Sequence, residues 1–239
     1  MNYLLTEEQK RVRKRIIEIC HIKKFTHIGS CICVVDVINE IYSIKNKNDK
    51  FVLSNGHAAI ALYSVLENKK IITPQIAESL NIHPDRNSKF GIDVSSGSLG
   101  QGLPIAVGFA FADRMKPVYC LVSDGECMEG SIIEALRIAR LNKLDNLNVI
   151  ICANGWGGYS SIMINELIRM VDGLGYDTKI INGHDAQKIR QALKGGEKGI
   201  PNLIIAETKS DQLPFLMGLD AHYYLMTDDD YRVAMNILS

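Results

Sequence analysis

Two short, largely apolar runs separated by one helix-length segment constrain this chain most. Val118-Tyr119-Cys120-Leu121-Val122 runs into polar Ser123-Asp124-Gly125-Glu126, and residues 147–152 run into Ala153-Asn154-Gly155. Apolar runs of this length without alternation read as strands buried on both faces. Strands of that kind form the interior of a parallel sheet. Residues 131–144 between them are long enough for the crossover helix that parallel pairing requires.

The alternation extends in both directions. Thr6 and Gln9 form a capping box. It opens a helix with Val12, Ile16, Ile19 and Cys20 on one face and Arg11, Lys14, Arg15 and Glu18 on the other. A second helix is expected at residues 34–42. A short strand, Phe51-Val52-Leu53, leads into Ser54-Asn55-Gly56-His57, and residues 58–66 read as helix. Residues 103–112 are almost wholly apolar and predict a buried helix. Ser131 and Glu134 suggest a second capping box. Helices at 164–172 and 186–193 alternate with strands at 178–181 and 203–207. The predicted class is α/β, a mostly parallel central sheet with helices on both faces. No repeat, linker or internal boundary interrupts residues 1–239, which read as one domain.

Composition narrows the partners. Twenty-seven basic residues balance 27 acidic ones, so charge gives no reason to expect nucleic acid. The basic stretch at residues 45–50 is short and reads as a solvated loop. No stretch reaches the ~18 apolar residues of a membrane span. The first fifteen residues are polar and lack the apolar core of a signal peptide. The six cysteines form no CxxC or Cys/His finger pattern, and Cys120 and Cys152 read as small core residues. Free thiols suit a reducing cytoplasm.

The polar ends of the strands carry the chemistry. Ligands of parallel sheets gather at the carboxyl ends of strands. Asp124 and Asn154, thirty residues apart, should stand side by side at neighbouring ends. An acid oxygen plus an amide oxygen, completed by phosphate and water, suits Mg²⁺ or Ca²⁺. The plainer reading makes Asp124 a helix cap and Asn154 a turn residue. Gly97-Ser98-Leu99-Gly100-Gln101-Gly102 precedes the apolar helix. It reads either as a loop that lets backbone approach a ligand or as a tight turn. A zinc site built from the histidines is the rival reading, but they lie on separate segments without an HExxH pair.

Taken in order, these motifs resemble the N-terminal, thiamine-diphosphate-binding domain of the transketolase family. Asp124-Gly125, a helix, and then Asn154 resemble the thiamine diphosphate motif. Thr26-His27-Ile28-Gly29, the segment ending at His57, and Ile82-His83-Pro84 resemble the family's three histidine loops. Residues 97–102 resemble the cofactor loop, Gly183-His184-Asp185 resembles a later turn, and His222 stands where the family has its last substrate histidine. The resemblance spans residues 6–231. It implies that Asp124, Asn154 and the Trp156 backbone carbonyl bind the metal, and that Gly125, His57 and Asn154 hold the diphosphate. Gly97, Ser98 and Leu99 would line the thiazolium and aminopyrimidine. His27, His83 and His222 would face the hydroxyls of a donor sugar or sugar phosphate, with imidazole moving a proton near neutral pH. His21 and His184 are read as structural.

The sequence departs from that pattern at Ser123, Ala153 and Leu219 and at Tyr223-Tyr224. These changes bear on the donor end of the pocket more than on the cofactor. The family's pyrimidine-binding domain, which supplies the acid that activates the cofactor, has no counterpart in the chain. The resemblance therefore implies a separate C-terminal subunit and an α2β2 heterotetramer, with Glu129 and Glu134 near a twofold axis. Two other classes stay open: a subunit that decarboxylates 2-oxo acids, and a non-catalytic assembly subunit.

Overall fold

The computed structural model describes residues 5–239; residues 1–4 of the polar N-terminal stretch lie outside them. Five strands, β1 (Lys50–Leu53), β2 (Val118–Ser123), β3 (Leu147–Ala153), β4 (Lys179–Asn182) and β5 (Asn202–Glu207), form one sheet. Their order is β1-β2-β3-β5-β4, and every neighbouring pair is parallel. Nine helices accompany them among the described residues: α1 (Glu7–Lys23), α2 (Ile28–Ile44), α3 (Ala59–Asn68), α4 (Pro74–Ser79), α5 (Gly102–Ala112), α6 (Gly130–Leu141), α7 (Ile164–Gly173), α8 (Ala186–Lys194) and α9 (Asp228–Ile237).

The apolar strands are continuous because each face has its own core. In β2, Val118, Cys120 and Val122 pack with Leu103 of α5, Ile132 of α6 and Leu167 of α7. Tyr119 and Leu121 point the other way, toward Ile16 of α1, Ile38 of α2 and Ile60 of α3. This is the expected fold class, with the period-two side-chain geometry of a strand serving two helical layers. All six cysteines are buried free thiols. No helix among the described residues is long and apolar enough to cross a membrane.

Several local expectations need correction. Helix α2 starts at Ile28, six residues earlier than its predicted start, with His27 left-handed at its N-cap (φ 64°). No side chain caps it, so nothing local marks the start; burial from Ile28 to Ile41 holds it instead. The box at Thr6 and Gln9 forms reciprocally. The one at Ser131 and Glu134 does not, because Glu129 is the N-cap of α6 and its side chain makes no capping bond. Ser131 Oγ instead donates to the carbonyl of Gly100 at 2.8 Å, and Glu134 pairs with Arg137. Helix α6 also ends at Leu141, short of the predicted residue 144. Helix α5 is not buried all round: Pro104, Ile105, Gly108, Phe111 and Ala112 form an exposed apolar stripe. The short α4 and the C-terminal α9 add to the expected elements.

Candidate active site

The carboxyl ends of the parallel strands meet along one edge of the sheet. Ser123 pairs in register with Cys152, so Asp124 and Asn154 leave the sheet on neighbouring strands. Asp124 is 1% exposed. Its Oδ2 accepts from the backbone N–H groups of Asn154 (2.9 Å) and Gly155 (2.8 Å), and Oδ1 accepts from that of Gly125 (3.0 Å). The plainer reading is therefore true as far as it goes: Asp124 caps its own turn and ties down the next strand tip. It leaves a buried carboxylate without a basic partner. Burial pushes its pKa up to about 6 despite three backbone donors. A divalent cation would hold it ionised.

The amide of Asn154 is fixed at both ends. Its Nδ2 donates to Cys33 Sγ at 3.4 Å, and its Oδ1 accepts from the Trp156 backbone N–H at 2.8 Å. The oxygen end is thus assigned, as a hard cation requires. Among the described residues, no group of three or more His, Cys, Asp or Glu side chains could hold a metal ion. That disfavours the zinc reading. The acid and amide oxygens at the two adjacent tips are of the hard donor type that suits Mg²⁺ or Ca²⁺.

One cavity of about 360 Å³ opens at these tips. Asp124, Gly125, Asn154, Trp156, His27, His57, His83, His222, Gly97 and Leu99 all line it. Of the predicted site residues, Ser98 alone is not part of the lining, and it is exposed. The ring centroid of His27 lies 5.0 Å from that of His57 and 4.7 Å from that of His222. His57 and His222 are 5.4 Å apart. Burial, then the neighbouring imidazoles, lowers the pKa of His27 to about 4 and of His57 to about 3. Burial also lowers that of His222. These rings are neutral at pH 7. His27 Nδ1 is buried and has no hydrogen-bond partner. A buried ring nitrogen without a partner is an exception to the rule that buried polar groups are hydrogen-bonded.

The glycine loop has a more local origin than close ligand approach. A Cβ on Gly97 (φ 140°) would lie 2.6 Å from His83 Cδ2, and one on Gly100 (φ 80°) would lie 2.5 Å from Ser131 Oγ. The first glycine lets the loop pack on the third histidine; the second lets it pack on α6.

Ser123 has a visible use. Its hydroxyl accepts from Glu126 N at 3.3 Å, and its N–H donates to Glu126 Oε2 at 3.1 Å. The two tyrosines after His222 diverge. Tyr223 sets its ring edge-on to His222 at 4.6 Å and lines the cavity with Leu219. Tyr224 stacks on Phe215 and donates to Asp230. Cys33 and Ser30 also line the cavity. Sequence reasoning misses them because it misses the true start of α2.

A parallel sheet whose tips and loops gather an acid, an amide and four imidazoles round one cavity defines a cofactor-binding α/β domain. The family described as transketolase, thiamine diphosphate binding domain, matches residues 27–211. The chain belongs to that family. It is 31% identical to a protein named as one subunit of the apulose-4-phosphate transketolase of Phocaeicola vulgatus, over 97% of this chain and 92% of that protein. It is 36% identical to human transketolase over 67% of this chain but only 28% of the human protein. The Campylobacter jejuni transketolase structure covers the whole chain at a TM-score of 0.79 and 26% identity. The chain spans 43% of that structure's length. It therefore spans nearly all of one relative and less than half of the longer transketolases it matches.

Proposed function

We propose that this chain is the N-terminal subunit of a two-subunit transketolase. Assembled with a pyrimidine-domain subunit, it binds thiamine diphosphate and Mg²⁺ and transfers a two-carbon ketol unit from a ketose to an aldose. The observation that carries this reading is the single cavity shared by the Asp124 and Asn154 tips and four histidines. The near full-length match to a protein that is itself named as a transketolase subunit supports the division into two chains.

In this reading Asp124, the oxygen of Asn154 and the carbonyl of Trp156 hold the cation. Gly125, His57 and Asn154 hold the diphosphate, and Gly97, Ser98 and Leu99 flank the rings. When bound, thiamine diphosphate supplies a nucleophilic carbon and an electron sink for C–C cleavage. The chain's own part is to orient, to exclude water and to move protons. His27, His83 and His222 orient the donor hydroxyls. A neutral imidazole such as His27 accepts a hydroxyl proton as the bond breaks and returns it later. No lysine or arginine is among the cavity-lining residues, so a phosphate on the sugar would be held by the partner chain.

The exposed apolar stripe on α5, together with exposed Met128, Ile133 and Leu141, supports burial against another subunit. Exposed Glu129 and Glu134 flank it, consistent with an α2β2 assembly. Six buried free thiols support a cytoplasmic location.

The test is to mix this chain with its partner, thiamine diphosphate, Mg²⁺ and a ketose donor, and to follow carbon transfer to an aldose. Transfer is expected. Cofactor uptake with no transfer from any donor contradicts the assignment, and CO₂ release from a 2-oxo acid replaces it with decarboxylation.

A further inference from the structure

Glu126 is an acid of this region to which the reading above gives no task. It is fully buried, at 0% exposure. Its Oε1 accepts from Ser54 Oγ at 2.7 Å and from the N–H of Gly100 at 3.0 Å. Its Oε2 accepts from the N–H of Ser123 at 3.1 Å and lies 3.5 Å from Ser123 Oγ. These donors sit on three separate segments. Ser54 follows β1 and leads to His57. Gly100 is inside the glycine loop. Ser123 precedes Asp124. One carboxylate therefore bridges the three stretches of chain assigned above to the diphosphate, the rings and the metal.

The packing around it points the same way. Glu126 fixes the N–H of Gly100, while Ser131 Oγ fixes its carbonyl at 2.8 Å. A Cβ on Gly102 would meet Ser54 Cα at 2.5 Å, so the loop lies directly on the β1 tip. Only an acceptor with two oxygens can take donors from opposite sides at this junction. A glutamine cannot, since one end of its amide would meet an N–H with an N–H.

We infer that Glu126 is a positioning residue, whose carboxylate sets the spacing between the β1 tip, the β2 tip and the glycine loop, and so shapes the cradle before cofactor arrives. This rests on the thiamine diphosphate reading of the cavity. Glu126 touches neither cofactor nor substrate. It acts through Ser54, Gly100 and Ser123.

The experiment compares wild type with Glu126→Gln and Glu126→Asp in the complex with the partner subunit. Amide exchange at Gly100 and Ser123 should rise at least tenfold in the glutamine variant, with β3 and β5 unchanged. Calorimetry at saturating Mg²⁺ should show thiamine diphosphate binding weakened at least tenfold. Turnover at saturating cofactor should stay within a few-fold of wild type, so the loss falls on the cofactor KM and not on kcat. Aspartate, which keeps both oxygens, should recover part of the affinity. Wild-type exchange and wild-type cofactor affinity in the glutamine variant, with only Tm altered, overturn the inference. Absence of cofactor uptake by the wild-type complex overturns the reading on which it rests as well. If the glutamine variant does not fold, the aspartate variant with Ser54→Ala decides: unchanged cofactor affinity in both overturns the inference.

Discussion

Two buried histidine environments in this chain differ in what their ring nitrogens find. His184 is enclosed with Arg13 and Asp36. Its Nδ1 lies 2.7 Å from Asp36 Oδ2, and its Nε2 accepts from the Lys209 N–H at 3.0 Å. Asp36 also takes both arms of Arg13, at 2.8 and 2.6 Å. In the cavity, His27 is also buried, yet its Nδ1 has no partner. The first cluster joins α1, α2 and the turns at His184 and Lys209. The second brings His27, His57 and His222 together at the cavity. His184 fills its hydrogen-bonding capacity within the chain, whereas His27 in the cavity leaves one ring nitrogen unfilled.

That contrast predicts which changes injure the fold and which injure only the site. The largest stability effect belongs to the satisfied cluster. Asp36→Ala leaves Arg13 charged and buried, and should cost about 3–5 kcal/mol in denaturant unfolding. Asp124→Asn is the milder case. It removes a buried charge that has no basic partner but turns an amide N–H toward one of the backbone donors, so stability should fall by about 1–3 kcal/mol, less than at Asp36. Mg²⁺-dependent cofactor binding should nonetheless fall at least a hundredfold by calorimetry. Similar damage to both properties at both positions would break the comparison.

Smaller effects sharpen it. His27→Gln should lower kcat roughly 100-fold, with little change in unfolding. The pH dependence has a definite sign. Folding holds His27 and His57 below the usual histidine pKa, at about 4 and about 3. Between pH 6.5 and 4 the unfolded chain binds more protons at these sites, so their stabilisation, present above pH 6.5, is lost as pH falls through that window. Asp124 runs the other way. Its pKa is raised to about 6, so it favours the folded form below its unfolded pKa of 3.8 and loses that contribution as pH rises through 6. NMR titration should therefore leave the His27 and His57 rings neutral at pH 5.5. The mildest change is Tyr223→Ala, which uncovers His222 and should raise its pKa toward the ordinary value.

Much of this is legible in the sequence, for identifiable reasons. β2 and β3 are largely apolar runs because both sheet faces are covered, and their polar ends fall on the same edge. The spacing from Asp124 to Asn154 then follows from one crossover helix. What stays hidden depends on distant partners. Glu126 reads as a loop acid because Ser54 and Gly100 are 72 and 26 residues away. Ser131 and Glu134 mimic a capping box, but the pattern cannot show that the serine hydroxyl has a partner in the glycine loop. Helix α2 has no capping signal at His27, so the sequence does not place Ser30 and Cys33 in the site. The capping pair that opens α9, Thr227 with Asp230, uses an aspartate where glutamate or glutamine is usual, amid three consecutive acids.

The most direct test is calorimetric titration of thiamine diphosphate into the complex of this chain with its partner, with Mg²⁺ present and then removed by chelation. The account predicts saturable binding with Mg²⁺, little without it, and none in Asp124→Asn. Binding of equal strength in all three cases would contradict it, because the paired strand tips would then play no part in holding the cofactor.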